Sequence, residues 1–244
     1  MEAQRRGRQL ELLARAALFR DLDPAALATV LAAAAERRAA DGDALFREGE
    51  PAERFCLVTE GRLKLTQVGA DGNEVILRFV GPGDAAAALA IFEGTAYPLT
   101  AWAVGATAVL EWDRATLQAL LLRHPLIAVA TVRLLSERLR ELQERFRELA
   151  TERVAQRVAR ALVRLVRQAG RKVEGGVLID LPLSRQDLAE MTGTTLFTVS
   201  RVLSEWEAQG IVASGRERIT VLRPHGLVAL AEDLPRGSSA VPRP

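Results

Sequence analysis

The stretch LPLSRQDLAEMTGTTLFTVSRVLSEWEAQG, residues 181–210, decides the fold of the C-terminal part. Ser184-Arg185-Gln186-Asp187 has the spacing of a capping box, in which the Ser184 hydroxyl serves the amide of Asp187 and the Asp187 carboxylate reaches back. It opens a short helix with Leu188, Ala189 and Met191 on its apolar face, and Gly193 stands where that helix needs a left-handed exit. Thr194-Thr195 then caps a second helix from Leu196 to Gln209, with Gly210 just past its end and Val199, Val202, Leu203 and Trp206 facing inward. Helix, glycine turn, helix is the helix-turn-helix unit, and Ala189 is small where the two helices must approach closely. The outer face of the second helix carries Thr195, Phe197, Thr198, Ser200, Arg201 and Glu205. Hydroxyls beside the free amides of a helix N-terminus suit phosphate oxygens, and an arginine one turn further in can reach a guanine edge with two hydrogen bonds. Beyond Gly210, residues 211–214 and 218–221 flank Gly215-Arg216-Glu217 as a hairpin whose tip can touch a DNA backbone.

Upstream, His124-Pro125 opens a long helix on which Ala128, Val132, Leu135, Leu139, Leu142, Phe146 and Leu149 alternate steps of four and three. That is an a/d heptad seam between charged flanks, the pattern of a helix that pairs with a second copy of itself. Before it the grammar is different. From Gly42 to about Trp112, apolar runs of four to seven residues alternate with turns: residues 54–59, 62–68, 74–80, 101–104 and 106–112. Short strands at this spacing predict an antiparallel sandwich or jelly roll. The alanine-rich segment 85–92 reads better as a short helix, and residues 8–36 read as helical, with Asp23-Pro24 starting a second helix that extends to about Arg38.

The 244 residues suffice for one large or two modest domains. No apolar run reaches the roughly 18 residues of a membrane span, and Met1-Glu2-Ala3-Gln4-Arg5-Arg6 has no apolar segment behind it of the signal-peptide kind; the expected address is the cytoplasm. One cysteine, Cys56, excludes an intrachain disulfide, a Cys-based zinc site and a four-cysteine iron–sulfur cluster. The net charge of +2 is uneven: residues 1–124 hold 14 basic and 17 acidic side chains (net −3), and residues 151–244 hold 14 and 10 (net +4). The basic back half is the part expected to meet a polyanion. An enzyme of the cupin type is excluded because no histidine precedes His124 in the barrel segment.

A jelly-roll front, a heptad helix and a winged helix-turn-helix, in this order, resemble the CRP/FNR transcription regulators. The resemblance runs from about Leu18 to Leu230 and is strongest at Thr198-Val199-Ser200-Arg201-Val202-Leu203, Phe46-Arg47-Glu48-Gly49-Glu50, Gly81-Pro82-Gly83-Asp84 and Ala101-Trp102. It implies an α+β chain with four parts: a sensor domain (residues 1–124), a dimerisation helix (125–150), a winged helix-turn-helix (151–231) and a disordered tail (232–244). It further implies a homodimer on a palindromic double-stranded DNA operator, working with RNA polymerase, with no membrane partner and no enzymatic activity. The implied DNA-contacting set is Arg185, Gln186, Thr195, Leu196, Phe197, Thr198, Ser200, Arg201, Ser214 and Arg216, and the implied dimer interface is Val132, Leu135, Leu139, Leu142, Phe146 and Leu149. Members that bind cyclic nucleotides place a glutamate on the ribose and an arginine on the phosphate. The matching stretches here are Ala87-Ala88-Leu89 and Leu99-Thr100, so cyclic AMP is disfavoured, because a buried phosphate without its guanidinium is costly. The implied effector pocket is Ala88, Leu89, Leu99, Thr100, Arg138, Leu139 and Leu142. Haem carrying nitric oxide or carbon monoxide is the leading expectation for this apolar set, with His124 as candidate ligand. A constitutive regulator without a ligand and an effector-binding docking protein are the alternatives. On the recognition helix, Phe197 stands where many members have glutamate and Leu196 where arginine is frequent, so thymine methyls replace a cytosine amino group as the expected contact beside the guanine of Arg201.

Overall fold

The computed structural model describes residues 2–70, 72–87, 91 and 94–233, and the chain divides into two compact units, Met1–Gln143 and Glu144–Pro244. The first opens with α1 (Glu2–Arg15) and α2 (Pro24–Ala32), the latter capped by Asp23, whose side chain accepts from the Ala26 amide at 2.8 Å. Strands β1 (Ala35–Ala39), β2 (Ala44–Phe46), β3 (Arg54–Val68), β4 (Glu74–Val80), β5 (Ala85–Ala86) and β6 (Thr100–Asp113) follow. All their pairings are antiparallel, in the order β1-β6-β3-β4, with β2 on β6 and β5 on β3. Helix α3 (Arg114–Arg123) leads into α4 (Leu126–Thr151), which runs on past the boundary into the second unit.

Alternation along β3 and β6 divides the apolar residues between two cores. Phe55 and Leu57 of β3, with Leu110 and Trp112 of β6, face the helices and meet Leu13, Phe19, Val30, Leu117 and Ile127. The Trp112 indole lies 5.6 Å from both the Phe19 and Phe55 rings and donates to the Val30 carbonyl at 2.9 Å. Cys56, Val58 and Leu63 of β3, with Ala101, Ala103 and Val109 of β6, face the interior of the roll with Phe46, Val80 and Tyr97. The same alternation turns Glu111 inward, where it is buried within 3.4 Å of Arg37 and 3.9 Å of Arg54.

The structure departs from the sequence pattern at several elements. The second helix stops at Ala32 rather than near Arg38, and residues 35–39 are a strand. Arg37 holds it there by donating to the Leu45 carbonyl at 2.8 Å, a tertiary partner that overrides the helical composition of Ala-Glu-Arg-Arg-Ala. Residues 54–59 and 62–68 are one strand, because Gly61 at φ +72° absorbs a double register shift instead of ending it. A Cβ there would collide with the Ala106 carbonyl oxygen. Likewise 101–104 and 106–112 form one strand through Gly105. Ala85–Ala86 pair with β3 and are not helical; residues 88–90 and 92–93 of that segment lie outside the described residues, as do 234–244 of the tail.

The second unit holds the end of α4, α5 (Val154–Ala169), β7 (Gly170–Val173), β8 (Gly176–Ile179), α6 (Arg185–Thr192), α7 (Leu196–Ala208), β9 (Val212–Gly215), β10 (Arg218–Val221) and α8 (Pro224–Ala231). Its four-stranded antiparallel sheet has the order β7-β8-β10-β9, and residues 170–179 form the β7–β8 hairpin. The core is Val158, Ala161, Leu162 and Leu165 of α5 with Leu188, Val199, Leu203 and Trp206, all buried. The link from α4 to α5 is clamped by charge. Arg164 donates to both oxygens of buried Glu148 (2.7 and 3.0 Å), and Glu152 accepts from Arg160 (2.9 Å) and Arg147 (3.2 Å). Among the described residues no single helix is long and apolar enough to cross a membrane.

Candidate nucleic-acid interface and effector positions

The capping box at the start of α6 is formed: the Asp187 amide donates to Ser184 Oγ at 3.0 Å and the Ser184 amide to Asp187 Oδ2 at 2.8 Å. Gly193 takes the left-handed conformation at φ +60°, so the turn favours glycine for its backbone, and a Cβ there would press at 3.2 Å on the end of the Leu149 side chain. Arg157 of α5 donates to the carbonyls of Thr192 (3.1 Å) and Gly193 (3.4 Å), fixing the turn from behind. Thr195 caps α7 by accepting from the Thr198 amide at 3.3 Å, and the two threonine hydroxyls lie 3.0 Å apart.

With Val199, Val202, Leu203 and Trp206 buried, the opposite face of α7 carries Phe197, Arg201 and Ser204. Phe197 is 85% exposed and Leu196 43%; Thr195 and Arg201 are exposed, and Thr198 and Ser200 are partly covered. The wing forms as expected, with Gly215 paired to Arg218 and Arg216 exposed at its tip. The Leu183 amide donates to the Glu217 carbonyl at 3.2 Å, tying the tip to the approach to α6. The remaining predicted contacts are engaged within the unit. Arg185 donates to Ser214 Oγ at 3.1 Å, Ser214 donates through both its amide (2.8 Å) and its hydroxyl to Glu207 Oε1, and Gln186 donates to Glu190 at 2.9 Å. Arg157 and Glu207 escaped the sequence reading, since each meets its partner only through the tertiary fold.

On α4 the seam residues Val132, Leu139, Leu142, Phe146 and Leu149 are 54–76% exposed, and Leu135 is partly covered. Of the predicted effector positions, Ala88 and Leu89 lie outside the described residues. Leu99 packs on the core of the roll, Thr100 is buried and accepts from the Glu48 amide at 3.0 Å, and Arg138 is paired with Glu141 at 2.8 Å. Leu139 and Leu142 are exposed on the seam. A groove of about 540 Å³ lies elsewhere, between α1 and the α2–β1 corner, lined by Arg5, Arg6, Gln9, Leu31 and Glu36. His124 Nε2 is buried without a hydrogen-bond partner among the described residues. Cys56 is buried in the roll, and desolvation, reinforced by the Glu111 carboxylate, pushes its thiol far above the usual range.

Residues 36–124 match the cyclic nucleotide-binding domain family and residues 156–230 the Crp-like helix-turn-helix domain family. The chain is 30% identical over 204 residues to the cyclic AMP receptor protein of Thermus thermophilus, covering 84% of this chain and 91% of that one. It is 28% identical over 200 residues to the CRP-like cAMP-activated global transcriptional regulator of Mycobacterium tuberculosis, covering 82% and 89%. The solved structure of FixK2 from Bradyrhizobium japonicum is similar at a TM-score of 0.71 and 28% identity, covering 84% of this chain and 99% of that one. This chain belongs to the CRP/FNR family of transcription regulators. It is a DNA-binding regulator and not an enzyme.

Proposed function

We propose that the chain acts as a homodimer in the cytoplasm, joined along residues 125–150, that sets two copies of α7 into successive major grooves of a palindromic operator and there meets RNA polymerase. The observation that carries this is the seam on α4. Five large apolar side chains lie more than half exposed in one stripe, on the helix that leads into the DNA-binding unit. Water does not favour such a stripe, and a second copy covers it with the same residues. The predicted DNA contacts then divide by chemistry. Thr195, Thr198 and the amides of the first turn of α7 take a phosphate, Arg216 takes another from the wing, and Arg201 reads a guanine. Gln186 and Ser214 face the backbone only through the networks that already hold them.

An effector shifts the population of the paired helices, and it is not a cyclic nucleotide. The guanidinium that would neutralise a cyclic phosphate is missing at Leu99, and Arg138 is already paired to Glu141. Two effector readings rest on different observations. The Nε2 of His124, without a partner among the described residues, is the nitrogen an axial haem ligand would use, which favours a sensor of nitric oxide or carbon monoxide. Leu99 packed on the core and Thr100 bonded to Glu48 favour a pocket filled by its own side chains, and so a constitutive regulator. An absorption spectrum with added haem separates them: a Soret band lost in His124→Ala supports the first, and no band supports the second.

The DNA reading is tested by selecting duplexes from a randomised pool with the full chain. The expected winners are inverted repeats with half-sites one helical turn apart, about 34–36 Å. Arg201→Ala should lose roughly 1–3 kcal/mol of preference at one guanine per half-site. Equal affinity of both proteins for every duplex overturns the reading and leaves the docking-protein alternative.

A further inference from the structure

We propose that α7 reads the C5-methyl group of a pyrimidine next to the guanine taken by Arg201, and so accepts 5-methylcytosine as it accepts thymine. This rests on the DNA-binding reading above and adds to it the chemical group that is recognised. The buried face of α7 is Val199, Val202, Leu203 and Trp206. At 3.6 residues per turn, Phe197 and Arg201 stand together at the middle of the opposite face. Phe197 is 85% exposed, as bare as any large apolar side chain among the described residues, and it has nothing to donate or accept. Its neighbours are the hydroxyls of Thr195 and Thr198 and the guanidinium of Arg201, which suit a polyanion. The occupant of this face therefore carries phosphates and an apolar group within reach of one another. In a major groove the pyrimidine methyl is that apolar group.

The methyl is read alone, because the side chains around it do not discriminate at the 4-position of the base. The Leu196 and Phe197 side chains have no polar atom, and the Ser200 hydroxyl can donate to O4 or accept from N4 alike. Leu196, Phe197 and Ser200 share the outer side of the first two turns with Arg201, and the first carboxylate on the helix, Glu205, comes a full turn after Arg201. With no carboxylate there to accept from a cytosine amino group, thymine and 5-methylcytosine present the same surface to Phe197. One helical turn is about 5.4 Å, and successive bases are about 3.4 Å apart, so the methyl lies one or two base steps from the guanine.

The test uses the full chain and a duplex selected from the randomised pool, with the guanine located by its loss in Arg201→Ala. At each pyrimidine within two steps, in one half-site, thymine is compared with uracil opposite adenine, and 5-methylcytosine with cytosine opposite guanine. Each comparison changes only the methyl. At the position read, the unsubstituted protein should bind the methylated duplex about fourfold more tightly in both comparisons. Phe197→Ala should bring both ratios to about one while keeping the guanine preference. Ratios near one in the unsubstituted protein, or ratios that survive Phe197→Ala, overturn the inference and leave the DNA reading standing. A pool from which no duplex is enriched overturns both.

Discussion

The substitution that bears hardest on the proposed dimer is Leu139→Asp. Full burial of a Val, Leu or Phe side chain is worth about 1.5–3 kcal/mol. The five most exposed seam residues have a little over half of that still to gain, about 1–2 kcal/mol each. Ten side chains in a pair of copies then contribute about 10–20 kcal/mol gross, against an association cost of about 4–15 kcal/mol. Leu139→Asp removes two of the ten, about 2–4 kcal/mol, and sets a carboxylate from each copy on the apolar seam, where desolvation and like charge add to the loss. A total of about 4 kcal/mol or more raises the dimer dissociation constant roughly a thousandfold. Because Leu139 is exposed in the single chain, circular dichroism should show the fold intact. Sedimentation velocity across a wide concentration range should show a monomer where the parent sediments as a dimer, and operator affinity should fall with it. Leu139→Met conserves volume and should remain a dimer. A Leu139→Asp protein that keeps the parental mass and operator affinity would refute the assignment of the seam.

Three other outcomes follow from the geometry. Asp113 caps α3 by accepting from the Thr116 amide at 2.8 Å, and that bond holds its carboxyl below the usual range. Asp113→Ala should cost about 1 kcal/mol in urea unfolding; the difference should be complete above the ordinary value of 3.8 and vanish as pH falls through the lower folded value. The Cys56 thiol is held neutral by burial, so a thiol reagent should modify it only as fast as the protein unfolds. Its stabilising effect is complete below the ordinary value of 9.0, and above that pH only the unfolded chain ionises, so unfolding free energy should fall with rising pH less steeply in Cys56→Ala. Glu152→Gln leaves Arg147 and Arg160 without their carboxylate; discounted for guanidiniums that are 55% and 29% exposed, the loss should be about 1–2 kcal/mol by denaturant titration, and a double-mutant cycle with Arg160→Met should assign most of it to that pair.

What could be read from residues alone were the parts whose causes are local. The Ser184 box, the left-handed Gly193 and the Thr195 cap each satisfy backbone groups within four residues, so the helix-turn-helix stands where its sequence places it. The seam was legible for a related reason: a period of 3.5 needs no partner to be seen. Strand β1 was not, because Glu36, Arg37 and Arg38 favour a helix until Arg37 finds the Leu45 carbonyl and Glu111 across the sheet. Gly61 and Gly105 read as turns because positive φ is common there, and only pairing with a neighbour shows that each sits inside a strand. Helix α3 went unread for want of amphipathic spacing in Arg114–Arg123, although Asp113 is an ordinary cap.

The recognition surface divides into groups that are committed and groups that are free, and the division constrains how it can work. Arg185 and Ser214 are tied to each other and, through Glu207, to α7, so their first task is to hold the wing against that helix. The threonines differ. A hydroxyl can accept and donate at once, and Thr195 already accepts from the Thr198 amide. One hydroxyl proton lies between the two threonine oxygens, 3.0 Å apart, which leaves one proton of the pair to point outward. Beside the free amides of the first turn of α7, that proton would complete the seat for one phosphate oxygen in the proposed complex. In the proposed complex the helix would be anchored to the DNA backbone at its cap, which would set Phe197 and Arg201 at a fixed depth over the base edges. Thr195→Val should therefore weaken binding to all duplexes alike by the value of one charge-assisted hydrogen bond, about 1.5–3 kcal/mol, together with part of the cap. It should leave the guanine preference of Arg201 unchanged, and a loss confined to one sequence would show that the hydroxyl reads bases instead.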